Sequence, residues 1–364
     1  MPISAVDTIS LAIEHTKQQL FKPFRLGQWT RLAIVGLLAG ELGSGGGFNW
    51  SSFPHQSGTP RHPFPSGWGG IDPALIGALI ATLVITAFVL GILFMYVSSV
   101  MRFILFDSVV AKQCHIREGW SRRTSAGWRY FLWKLLYLVV ALGGVVVLLG
   151  IPAAFAFAMG WFHEAKAHLL PLVLGGILLF FVLLLFFVVM AVIFVLTKDF
   201  VVPQMALENI GAMEGWRRLW PMIENEMAGY AGYIGMKILM AIGAGIVVGI
   251  ATVILGLLFA IPTIAFSVIA VLTGKSAGLT WNVYTITLAV VVGGILLAIF
   301  LYVIALISVP VIVFFPSYSI YFFAARYPAL SAVLYPAPPV PPQIPFAAPP
   351  PYEPPLPPAA EPIG

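Results

Sequence analysis

Apolar residues gather in six runs, at 32–47, 73–101, 130–159, 168–196, 230–271 and 283–315. All but the first reach the roughly 20 residues that a helix needs to cross a hydrocarbon layer about 30 Å thick. The pattern predicts six membrane crossings in an all-α, integral membrane helical bundle. The first run is the weakest candidate, being short, containing Glu41 and ending in the glycine-rich stretch at 43–47. The last two runs exceed one crossing and contain Pro262, Pro310 and Pro316, where kinks or helix ends are expected. Ala241, Gly245 and Gly249 recur at every fourth position, a spacing that suits close helix packing.

Residues 1–31 follow a different pattern. Ile9, Ile13, Leu20 and Phe24 fall near one face of a helical wheel, with Glu14, Lys17 and Gln18 on another, which predicts an amphipathic helix lying in the interface. Ser4 and Asp7 have the spacing of a reciprocal helix cap. This stretch lacks the unbroken apolar region of a cleavable signal peptide. Residues 48–72 are rich in Gly, Pro and Ser and predict an irregular loop, with a chance glycosylation spacing at Asn49, Trp50 and Ser51. The membrane domain is expected to span 32–335. Beyond it, 336–364 is proline-rich and predicts a disordered tail, in which Pro349, Pro350, Pro351 and Tyr352 suit a protein partner with an aromatic groove.

Composition agrees with the periodicity: 60% of the residues are hydrophobic and 9% are charged, against about 25% charged in a soluble domain. The net charge of +5 reads as topology rather than as a nucleic-acid surface. With six crossings, every basic residue of the 19 except Arg61, Lys166 and Lys275 falls on one side, and the positive-inside tendency makes that side cytoplasmic. Both termini are therefore expected in the cytoplasm, in a cell membrane of prokaryotic type. Cys114 is the only cysteine, so neither an intrachain disulfide nor a thiolate cluster can form.

One motif is written twice. An aspartate (Asp107, Asp199) ends an apolar run, Glu-Gly-Trp follows (118–120, 214–216), arginines come next, and Ile-Pro (151–152, 261–262) interrupts the next run. The order predicts a parallel internal repeat, with units near 73–159 and 168–271. A weaker echo is Gly27-Gln28-Trp29-Thr30-Arg31. Glycine permits a tight turn, tryptophan suits the headgroup level, and arginine suits phosphate or a helix carbonyl end. The motif can serve as a helix anchor. Alternatively, Arg122, Arg123, Arg217 and Arg218, with Trp120 and Trp216, can form an anionic headgroup site. Asp107 and Asp199 read as caps or ion-pair partners, or as members of a relay. Glu41, about 15 Å along a helix from Arg31, is the one acid inside an apolar run.

Enzymatic signatures are sparse. The six histidines form no metal-ligand motif: His163, Glu164 and His168 miss the H-E-x-x-H spacing by one position. No phosphate loop, nucleophile elbow or paired catalytic carboxylates are visible. No catalytic residue, metal or cofactor is expected, and no nucleic-acid partner.

The interfacial helix followed by PFRLGQW, the Gly-rich first loop, the aspartates ending alternate runs and the Glu-Gly-Trp turns together resemble an uncharacterised family of bacterial and archaeal polytopic membrane proteins. That family is similar to the membrane domain of some glycerophosphodiester phosphodiesterases. The resemblance covers residues 1 to about 335. It implies a fold rather than an activity, because catalysis in those phosphodiesterases belongs to a separate soluble domain. The expected function is a non-enzymatic module that binds or transports a lipid or small amphiphile. The alternatives are a ligand-free scaffold or partner subunit and an intramembrane lipid-modifying enzyme.

Overall fold

The computed structural model describes residues 4–41, 73–161, 167–276, 278 and 283–336, and among these every regular element is helical. α1 (Asp7–Phe21) and α2 (Leu26–Leu38) are short. α3 (Pro73–Val110), α4 (Ile116–Ala158) and α5 (Leu169–Leu196) are long, and α5 runs through a π-helical turn at Thr197–Val201 into α6 (Val202–Glu208). α7 (Ala212–Asn225), α8 (Met227–Ser276), α9 (Val283–Ala324) and α10 (Pro328–Leu334) complete the described elements.

Five of these helices are long and apolar enough to cross a membrane. Of the first run, at 32–47, only residues 32–41 are described; they supply the second half of α2, whose 13 residues span about 20 Å at 1.5 Å per residue. A backbone turn stops α2. Gly40 takes φ +81, the Gly40 amide donates to the Leu37 carbonyl at 3.1 Å and the Glu41 amide to that of Gly36 at 2.9 Å, the bond pair of a Schellman ending. The rest of that run, the loop at 48–72 and the tail from 337 lie outside the described residues.

The spans share one buried end. Phe103, Ile104 and Leu105 of α3, Phe200 and Val201 of the π turn, Tyr233 of α8, and Val313, Tyr318 and Phe322 of α9 are all enclosed there. The far halves of the spans behave oppositely: Leu83 and Phe88 of α3, Leu178 and Leu185 of α5, and Leu258 and Phe266 of α8 are exposed. In water such surface would be prohibitive, whereas in lipid it needs no protein cover, since the helical backbone satisfies itself. α3 and α5 run toward the shared end and α4 and α8 return from it, so the two copies of the motif lie on the same side. α1 and the end of α9 meet there too, because His15 of α1 bonds both Val109 of α3 and Tyr321 of α9.

The Ser4–Asp7 pair forms as expected, with the Ser4 hydroxyl 2.7 Å from the carboxylate and the Asp7 amide donating back to Ser4 Oγ at 3.1 Å. α1 buries a partly polar face, with Thr8, Ala12, His15, Thr16, Gln19 and Leu20 inward, and leaves Ile13 and Phe21 outward. The prolines do not end their helices: α4 runs through Pro152, α8 through Pro262, and α9 through Pro310 and Pro316. Nothing approaches the position where Gly249 would carry a side chain, so that end of the small-residue ladder packs against no helix.

Candidate functional site

The motif glycines are not turn residues. Gly119 and Gly215 lie inside α4 and α7, each on the face against the preceding span: an added Cβ would meet Ile104 at 3.0 Å and Val201 at 2.7 Å respectively. The turns come earlier, at Lys112 (φ 56) and Asn209 (φ 54). Each tryptophan then leans on the same span. Trp120 meets Tyr96 edge to face with centroids 6.4 Å apart, and the Trp216 indole donates to Thr197 Oγ1 at 2.9 Å. The third echo works similarly, the Trp29 indole donating to the Leu20 carbonyl at 3.0 Å.

The four motif arginines are engaged separately. Arg123 binds Asp107 through two bonds of 2.7 Å and reaches the Ala206 carbonyl at 2.6 Å. Arg122 is well exposed, with Glu118 at 3.8 Å, and Arg217 is more so, with Glu214 at 3.2 Å. Arg218 pairs with Glu208 and Glu214, and the hydroxyl of Tyr327 donates to Glu208. Burial and that acceptor carboxylate both push the Tyr327 hydroxyl above its ordinary range. These contacts tie the helix ends together, and two of the four guanidinium groups face solvent.

The other two singled-out acids lie elsewhere. Glu41 is enclosed, and its carboxylate takes the Lys198 ammonium on one oxygen at 2.6 Å and the Arg102 guanidinium on the other. Asp199, in the π turn, receives the Lys237 ammonium and, at 2.9 Å, the Tyr233 hydroxyl. Lys134 of α4 donates to Ser98 Oγ at 3.2 Å and sits 4.8 Å from the centre of the Tyr130 ring. Lys134 thereby joins Arg102, Lys198 and Lys237 as a fourth base beside the two acids, held to Ser98 one helical turn before Arg102 on α3.

The π turn is what sets Lys198 and Asp199 into this cluster. Pro203 has no N–H to give the Asp199 carbonyl, and the Val202 amide instead closes the wider ring on Thr197, a local widening that recurs at functional positions. Beside it lies a cavity of about 20 Å³ lined by Arg102, Lys198, Asp199, Pro203, Pro316 and Ser319, room for one water molecule. A much larger recess, about 660 Å³ beside Arg31, His115 and Arg117, is open to the surface. No group of three or more His, Cys, Asp or Glu that could hold a metal occurs among the described residues.

Sequence reasoning singled out Glu41 and Asp199 but read Arg102, Lys134, Lys198 and Lys237 only as charges that fix orientation. The available signal was their position: a lone base at the edge of, or inside, an apolar run is costly unless it has a partner.

No curated protein and no solved structure matches the chain. One family model does, over residues 3–333. That match covers every described span and both copies of the motif, and it places the chain in a family of unknown function, DUF7544.

Proposed function

We propose that the protein is a non-enzymatic binding module of a cell membrane, holding a lipid or small amphiphile by its anionic head at the Arg102–Lys134–Lys198–Lys237 cluster. The observation that carries this reading is the surplus of charge: four bases face two acids among the described residues. Taking an ammonium or guanidinium group out of water costs several kcal/mol unless an opposite charge compensates it, and an anionic ligand supplies that charge.

Depth favours a headgroup. Arg102 lies 25 residues beyond Gly77, where the apolar stretch of α3 begins, which is about 38 Å along the helix axis. Against hydrocarbon about 30 Å thick, that length supports a cluster at the level of lipid phosphates. The exposed far halves of the spans provide apolar walls for acyl chains. In this reading both termini are cytoplasmic.

Lys134 is the informative position, because it holds a hydroxyl and its removal strands no acid. Purified in mild detergent, wild type is expected to carry anionic lipid, quantified by mass spectrometry. Lys134→Gln is expected to carry several times less, since a hydrogen bond from a charged donor is worth about 1.5–3 kcal/mol. Equal anionic lipid in the two proteins, or none in either, would reject the reading.

A further inference from the structure

We infer that Glu41 is the site's own competitor: its carboxylate occupies the place of the ligand's acid group, and the end of α2 withdraws when an anion binds. This rests on the anion-binding reading above.

The donors that hold Glu41 are the ones an acidic head requires. A guanidinium nitrogen and an ammonium each take one of its two oxygens, and both donor types bind carboxylate and phosphate alike. The site is closed as it stands, because the cavity beside Arg102 and Lys198 has only about 20 Å³, space for a water and too little for a phosphate. An anion can therefore reach these donors only by taking the place of a group already there.

Of the two acids present, Glu41 is the one able to leave. Asp199 lies within a continuous helical segment under Tyr233 and Lys237. Glu41 instead follows the end of α2, beyond Gly40, where the amides of Gly40 and Glu41 make the two backbone bonds of the Schellman turn. Opening that turn moves the carboxylate while the body of α2 stays anchored, since Leu32, Ala33 and Val35 are buried and Gly36 is pressed against Ile312 of α9. Charge makes the exchange self-reinforcing: with Glu41 in place four bases face two acids, and with Glu41 withdrawn they face Asp199 alone, so the attraction for an incoming anion rises as the internal one leaves.

The test uses full-length protein in nanodiscs of phosphatidylcholine, with and without phosphatidylglycerol, and reads both affinity and hydrogen exchange. Glu41→Gln keeps the shape and removes the charge; it is expected to bind phosphatidylglycerol about tenfold more tightly than wild type. In wild type, where no variant has to fold, amides 37–41 are expected to exchange faster when phosphatidylglycerol is present. If inorganic phosphate added to phosphatidylcholine discs produces the same acceleration, the competitor role stands and the anion is a soluble one. If phosphatidylglycerol binds in a manner sensitive to Lys134→Gln, yet Glu41→Gln binds no more tightly and amides 37–41 are unchanged, the competitor role is overturned and the binding site survives. If neither anion binds to either protein, both fall together.

Discussion

Arg123 holds Asp107 by two parallel bonds, Nε to Oδ2 and Nη2 to Oδ1, both 2.7 Å, while its Nη1 donates to the Ala206 carbonyl at 2.6 Å. One side chain of α4 thereby joins α3 to the end of α6. Both side chains are about one-fifth exposed, so solvent screens the pair only in part. Arg123→Lys keeps the charge but cannot reproduce the planar fork. It is expected to cost about 2 kcal/mol, seen as a lower Tm in detergent, with Asp107→Asn nearly as damaging. An unchanged Tm for Arg123→Lys would mean that charge alone matters at this joint.

The approach of α3 to α4 depends on Gly127. A methyl group there would stand 3.0 Å from the Val100 Cα and 2.6 Å from one of its methyl carbons, and backbone cannot step aside as a flexible side chain can. Gly127→Ala is expected to destabilise by about 1–3 kcal/mol, the usual cost of overpacking. Gly143 of the same helix has nothing within 4 Å of the equivalent point, so Gly143→Ala should be neutral or gain up to about 1 kcal/mol from helix propensity. Thermal unfolding of the two variants side by side separates packing from propensity.

Gln204 is fully buried in α6, and neither atom of its side-chain amide has a hydrogen-bond partner among the described residues. A buried polar group left unpaired costs about 1–3 kcal/mol. Gln204→Met replaces it with an apolar chain of similar length, so a rise in Tm of a few degrees is expected, with the bound lipid unaltered. A fall in Tm would show that the amide has a partner in the membrane.

The legible and illegible parts of this chain divide along a physical line. Class and span positions could be read because each apolar run carries its own signal, and the Ser4–Asp7 cap because its partners are three residues apart. The charged cluster could not, since Glu41, Arg102, Lys198 and Lys237 meet only through tertiary packing across the end of α2, α3, the π turn and α8. The motif was recognised and its mechanics misassigned: glycine suggested a turn, but the left-handed residues are Lys112 and Asn209, and a lysine there is not something local preference nominates. In the described part of the first run, hydropathy sees Leu37 and Leu38 but not the αL turn at Gly40 that stops α2.

His15 makes α1 sensitive to acid. The Val109 carbonyl can only accept, so Nε2 carries the proton and donates at 2.9 Å, and the bare Nδ1 accepts from the Tyr321 hydroxyl at 2.9 Å. This is the neutral tautomer. Burial, and secondarily the charge of Lys112, hold the imidazole below its ordinary value of 6.5, against the opposing pull of the Val109 bond. A group whose pKa is depressed by folding contributes stability that is present above the unfolded value and lost as pH falls toward the folded one. Protonation also turns Nδ1 into a donor facing a hydroxyl that was donating to it. The Tm of the wild-type protein in detergent is therefore expected to drop between about pH 7.5 and pH 5. In His15→Gln, which cannot titrate, the Tm should start lower and lose the part of the slope that begins near 6.5. Parallel pH profiles for the two proteins would assign the acid sensitivity to carboxylates instead.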